Sequence, residues 1–92
     1  MQINITARHM KLTDSIDSYV REKITKVDKF YDADEARADV ILSVEKSRQM
    51  TEIVFYVGKL SFTSKWYSYD LYTSIDLTLD KLKKQLRKKK KF

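Results

Sequence analysis

Two sets of apolar residues with identical spacing constrain the fold of this chain more than any other feature. Ile16, Val20, Ile24, Val27 and Tyr31 lie four, four, three and four positions apart. Leu71, Ile75, Leu79, Leu82 and Leu86 repeat those intervals. At 3.6 residues per turn each set forms one stripe along a helix, and each stripe has to be buried. Between and before the helices the period changes to two. "QINIT" puts Ile3 and Ile5 on one face of a strand. "DVILSVEK" does the same with Val40, Leu42 and Val44, "TEIVFYV" with Ile53, Phe55 and Val57, and "LSFTSKW" with Leu60 and Phe62.

The ends of these elements are marked by residues with specific backbone chemistry. Thr13 can accept a hydrogen bond from a first-turn amide, and Asp14 and Asp17 suit the positive end of the helix dipole. The first helix is expected from Asp14 to about Phe30. "DADEARA" reads as an acidic connection and "SRQM" as a turn. Gly58-Lys59 reads as a two-residue hairpin loop, because a type II′ turn needs positive φ at its first position. Asp70 is the expected cap of the last helix. The resulting order is β-α-β-β-β-α, an α+β two-layer sandwich with two parallel helices on one face of a four-stranded sheet. The other face, with Asp39, Ser43, Glu45, Glu52, Ser61, Thr63 and Lys65, is expected to be wet. Ile41, Val54 and Tyr56 interrupt that pattern without explanation.

A length of 92 residues with one glycine, no proline and no visible linker implies a single domain, 1–92, with a basic tail from about residue 87. There is no cysteine, which removes disulfides and thiolate metal sites. No apolar run approaches the ~20 residues needed to cross a bilayer. The N-terminal "MQINITARHM" has no signal-peptide character. The expected location is therefore the cytoplasm, with no membrane partner.

The formal net charge is +6, and after Asp80 no acidic residue appears. Because the two stripes share their spacing, the lysines can be compared by position. Lys26 and Lys81 lie ten residues beyond the first residue of their stripes, and Lys29 and Lys84 thirteen beyond. At about 100° per residue each pair occupies the same flank of its helix. Lys88 continues that flank, Lys90 extends the basic run, and Lys23 sits nearer the first apolar stripe. Cations held on rigid helices at fixed separations suit the phosphates of a folded RNA. A solvated face with a solubilising tail is the alternative, but such faces usually alternate in sign.

Enzyme chemistry finds little support. His9 is the only histidine, and one glycine cannot make a phosphate-binding loop. No residues are spaced as metal ligands or as a carboxylate pair. The expectation is a non-enzyme with no cofactor and no small-molecule substrate. "KWYSYDLY" gathers Trp66, Tyr67, Tyr69 and Tyr72 at the junction before the last helix. A packing role would put Trp66 and Tyr72 at the end of the core beneath the first helix. Tyr67 and Tyr69 are the better candidates for stacking on unpaired bases.

"DLYTSIDLTLDKLKKQLRKKK" resembles the closing helix of the ribosome hibernation promoting factors, also called ribosome-associated inhibitors or sigma-54 modulation proteins. The matching positions are Asp70, Tyr72, Ile75, Asp76, Asp80, Lys81, Leu82, Gln85 and Leu86. At the other end "INIT", Met10, Leu12-Thr13, Ile16, Tyr19-Val20, Lys23, Lys26 and Phe30-Tyr31 match. The resemblance implies a fold akin to double-stranded-RNA-binding domains. It implies binding to the 16S rRNA of the small (30S) ribosomal subunit, in the channel between head and body. Messenger RNA and the A- and P-site transfer RNAs would be blocked, and translation inhibited in stationary phase or starvation. Lys23, Lys26, Lys81, Lys84 and Lys88 match the family's basic positions, whereas Lys29 and Lys90 rest on helical position alone. Three features depart from the pattern: Lys11 replaces an acid, Asp17 a basic residue, and "WYSY" a small polar stretch. Ending at the lysines, the chain resembles the short form, which implies a second factor wherever ribosomes are paired. Two other readings remain at this point: a general duplex-RNA-binding protein, and a protein-interaction module that modulates a transcription factor.

Overall fold

The computed structural model describes residues 1–29 and 35–90. The side chains at 28, 29, 89 and 90 lie outside that description. Seven elements follow in order: β1 (Gln2–Arg8), α1 (Asp14–Thr25), a 3₁₀ turn (Lys26–Lys29), β2 (Ala36–Glu45), β3 (Arg48–Val57), β4 (Leu60–Ser68) and α2 (Leu71–Lys90). The four strands form one sheet in the order β1-β2-β3-β4. β1 pairs parallel to β2, and the remaining pairs are antiparallel. β1 and β4 therefore point the same way. The crossover returns α1 against β1. Contacts from Trp66 to Ser74 and from Ser64 to Thr78 run α2 against β4. Both helices thus run in the same direction, as the alternation of elements requires.

The core lies between helices and sheet. Val20, Ile24 and Val27 from the first helical segment meet Leu71, Ile75, Leu79, Leu82 and Leu86 from α2 over Ala38, Val40, Leu42, Ile53 and Phe55. All of these are almost wholly removed from solvent. Each such leucine or isoleucine contributes about 1.5–3 kcal/mol by leaving water. Both helix caps form as the sequence indicates. Thr13 Oγ1 accepts from the Ile16 amide at 3.2 Å, and Asp70 Oδ2 accepts from the Thr73 amide at 2.9 Å.

A polar seam runs through the α2–sheet contact. Thr51, Ser64, Ser74 and Thr78 are all buried. Ser64 Oγ donates to the Thr78 carbonyl at 2.7 Å, and Thr78 Oγ1 donates to the Ser74 carbonyl at 2.8 Å. The Thr51 and Ser74 hydroxyls lie 3.0 Å apart. Small side chains let the helix settle close to β3 and β4, and each buried hydroxyl is hydrogen-bonded, as burial demands.

Several boundaries differ from the sequence reading. α1 does not run on to Phe30. Thr25 Oγ1 donates to the Glu22 carbonyl at 2.8 Å, and the Lys26 amide turns back to the Lys23 and Ile24 carbonyls. Those bonds tighten the helix into a 3₁₀ turn. Phe30 and Tyr31 lie outside the described residues. β2 begins at Ala36 rather than Asp39, because parallel pairing with β1 starts at Gln2↔Arg37. Ala36 and Ala38 are consequently core residues. "SRQM" is a turn only at Ser47: the β2–β3 turn is Lys46-Ser47, with Glu45 opposite Arg48, and β3 takes the rest. Lys46 takes φ of 59° there, close to the 58° of Gly58 in the next hairpin. Leu60 does not face inward in full. It follows that hairpin on an edge strand and is 40% exposed. On the open face Ile41, Val54 and Tyr56 are half-buried among cross-strand neighbours, with the Arg37 guanidinium 4.3 Å from the Tyr56 ring.

Candidate nucleic-acid interface

α2 carries the main cationic row. Lys81, Lys84 and Lys88 follow at intervals of three and four, which on an α-helix is one flank. That flank faces away from α1. Lys81 and Lys84 border a groove of about 330 Å³ with Trp66, Leu77 and Asp80, against the outer strand β4. Lys81 Nζ donates to the Lys65 carbonyl at 3.3 Å and stands 4.4 Å from the centre of the Trp66 ring. All three lysines are exposed, and none is ion-paired among the described residues. α2 cannot roll to hide them, because the buried seam and a bond from Gln85 Nε2 to the Thr63 carbonyl (3.0 Å) set its rotation.

A second set lines the space between the helices. Lys23 and Lys83 border a hollow of about 210 Å³ with Asp76, Leu79 and Asp80. Lys23 is half-buried, with Nζ 5.3 Å from the centre of the Tyr19 ring. Tyr19 joins the helices. Its hydroxyl donates to Asp76 Oδ1 at 2.6 Å, and its ring meets Tyr72 edge-on at 4.8 Å between centres. The bond to Asp76, followed by partial burial, pushes the Tyr19 phenol up to about 12. Tyr19 therefore stays neutral and donating throughout the physiological range.

The residues singled out in the sequence thus fall into three groups. Lys81, Lys84 and Lys88 form the outer row of α2. Lys23 lies in the inter-helix hollow, and Lys26 is exposed at the C-terminal end of α1. The side chains of Lys29 and Lys90 lie outside the described residues. The α-helical advance of about 100° per residue ends at Thr25, before the 3₁₀ turn at Lys26–Lys29. The 3₁₀ turn advances by about 120°, so that part of the match does not carry over.

The aromatic cluster is arranged differently from the packing expectation. Tyr72 does pack on α1, but Trp66 lies under α2, beside Lys81, and is 44% exposed. Tyr67 is 41% exposed on the open face of the sheet, with the Arg48 guanidinium 4.8 Å from its ring centre. The Trp66 and Tyr67 rings are within 20° of parallel, 6.1 Å apart around the sheet edge. Tyr69 is 74% exposed and borders a hollow formed with Glu45, Arg48 and Met50. Three residues near these surfaces escaped the sequence reading. The packing expectation covers Trp66, and the expected turn covers Arg48. Lys83 follows Leu79 by four positions, which places it beside that apolar residue on the same face.

Among the described residues no cluster of potential metal ligands exists, and no helix is long and apolar enough to cross a membrane. A surface of this kind can hold a polyanion, offering unpaired ammonium groups at fixed spacing and exposed rings beside them.

Comparison with known proteins finds relatives along nearly the whole chain. The family described as "Sigma 54 modulation protein / S30EA ribosomal protein" matches residues 3–92. A ribosome hibernation promoting factor from Azotobacter vinelandii is 36% identical over 90 residues, covering 98% of this chain and 83% of the relative. The N-terminal domain of Thermus thermophilus Protein Y superposes with a TM-score of 0.88 at 29% identity, covering 96% of this chain and 98% of that domain. A ribosomal subunit interface protein from Coxiella burnetii, 20% identical and covered in full by a full-length match, has the same fold with a TM-score of 0.90.

Proposed function

Because the chain belongs to the sigma 54 modulation protein / S30EA ribosomal protein family, we propose that it is a ribosome hibernation factor acting as an RNA-binding plug. It docks on the 16S rRNA of the small (30S) subunit, in the channel between head and body. There it blocks messenger RNA and the A- and P-site transfer RNAs, and translation stops in stationary phase or starvation. Such a protein works in the cytoplasm and has no catalytic step. Ribosome pairing would fall to a second hibernation factor.

The observation that carries this reading is the outer row of α2. Lys81, Lys84 and Lys88 are exposed, free of ion pairs among the described residues, and held on a helix whose rotation is set by buried hydrogen bonds. A rigid cation row matches phosphates spaced by a folded RNA and loses little side-chain freedom beyond the lysines themselves. Lys23, Lys26, Lys29 and Lys90 supply further phosphate contacts on the α1 side and at the tail. Tyr67 and Tyr69 stack on bases exposed beside them.

The test is sedimentation of the purified chain with separated ribosomal subunits. It should travel with small subunits, and prior loading of messenger RNA and transfer RNA should exclude it. Equal binding to large subunits, or binding indifferent to that loading, would refute the proposal.

A further inference from the structure

The groove between β4 and α2 has a composition that phosphate binding alone does not require. Its floor is Trp66 and Leu77, and its rim is Lys81, Lys84 and Asp80. Trp66 is the only tryptophan of the chain. It is held on a regular edge strand, opposite Thr51 of β3, so its backbone is fixed while its ring remains 44% exposed. On the α2 side the Lys81 ammonium stands 4.4 Å from the ring centre.

We propose that this groove seats an unpaired RNA base, with Trp66 as the stacking platform. The inference rests on the RNA-binding reading above only in taking phosphate as the partner of α2. An exposed indole offers a large flat face on which any base can stack, and stacking is open only to bases not already paired. The phosphates of the same nucleotide and its neighbour fall to Lys84 and Lys81. Lys81 exchanges its contacts with the ring and the Lys65 carbonyl for a phosphate, which uncovers the indole. The lysine is an exposed side chain, so the exchange requires no movement of backbone. Among the described residues Asp80 is the one carboxylate of the groove. Two ammonium groups face it, so the local field still favours a polyanion. The depression, at about 330 Å³, admits one base rather than a duplex. Selectivity for unpaired over paired RNA follows, which a row of lysines by itself cannot provide.

With a single tryptophan, emission excited in the indole band reports on the surroundings of Trp66, and the Trp66→Leu affinity assigns the response to this groove. A 15-nucleotide RNA of mixed sequence should quench Trp66 emission strongly when single-stranded and weakly when annealed to its complement at the same salt concentration. Trp66→Leu keeps an apolar side chain at a half-exposed position, and its fold is checked by circular dichroism. By anisotropy of labelled RNA, that variant should bind the single strand about tenfold or more weakly, with duplex affinity within twofold of the parent. Equal quenching by both forms, or unchanged single-strand affinity in Trp66→Leu, overturns the proposal. So does Trp66 quenching by RNase-treated ribosomal proteins without a response to RNA, which would assign the groove to a protein ligand. If single-strand affinity is unchanged while small-subunit sedimentation persists, the base seat fails and the ribosome reading stands.

Discussion

Replacing Lys81, Lys84 and Lys88 together by Gln tests whether the outer row of α2 makes the phosphate contacts. Each neutralised phosphate releases condensed counterions, which gives a slope of log affinity against log salt of about −0.7 to −0.9 per contact. Three contacts amount to a slope of about −2 to −3. Between 50 and 200 mM salt, a fourfold change, the parent should lose about 20- to 40-fold more affinity than the variant. The fold is expected to survive, because all three side chains are exposed and none takes part in the buried seam. The assay is small-subunit binding across a salt series by sedimentation or anisotropy. A second variant controls for overall charge. Lys11, Lys46 and Lys59 are also exposed, and their conversion to Gln lowers the net charge equally, from +6 by three to +3. That variant should keep the parent slope. Equal slopes for the two variants would mean that the ribosome responds to net charge, and the argument from a positioned row would fail.

Other outcomes follow from the Tyr19 bond, the core packing and the Gly58 turn. Tyr19→Phe should cost about 1 kcal/mol, read from denaturant unfolding, because the lost bond to Asp76 lies in partial contact with solvent. The raised phenol pKa also sets a pH window. The folded state holds the Tyr19 proton more tightly than the unfolded chain, so its contribution is complete below about 10 and is lost as pH rises toward about 12. Tyr19→Phe should flatten that part of the stability profile. Leu82→Ala, at a fully buried position, should cost about 2–5 kcal/mol by leaving a cavity, whereas Thr78→Val keeps the volume and should cost about 1 kcal/mol in thermal melts. Gly58→Ala should cost about 1–2 kcal/mol although a methyl group there meets no atom within 4 Å, because φ of +58° disfavours any residue with a Cβ. A stability unchanged by that substitution would contradict the turn conformation.

Much of the fold was legible from periodicity. A strict 3.6 pattern in Leu71 through Leu86 has only one satisfactory interpretation, and the caps at Thr13 and Asp70 are local chemistry read from a few adjacent residues. The same locality explains the errors. "SRQM" is polar enough for a turn, yet cross-strand pairing makes Arg48 and Met50 strand residues and places the turn at Lys46-Ser47. Ala36 and Ala38 carry too little hydrophobic signal to mark a strand, but β1 supplies the hydrogen bonds that draw them into one. The outer lysine row was visible because its spacing is helical. The role of Trp66 was not, since an indole near a helix start reads equally well as core or surface until the position of that helix is known.

The sequence by itself determined the order of elements, the faces the helices bury, the positive charge and the alignment of Lys81, Lys84 and Lys88, because each depends only on neighbours within a turn or a strand. The tertiary structure decided how far α2 is rotated over the sheet, through hydroxyls of β3 and β4 that meet Ser74 and Thr78 from more than ten residues away in the chain. That rotation sends one flank of lysines over Trp66 and brings Lys23 and Lys83 between the helices. Long-range hydrogen bonds of this kind leave no periodic trace in the order of residues, so only the folded chain shows which cations stand beside an exposed ring.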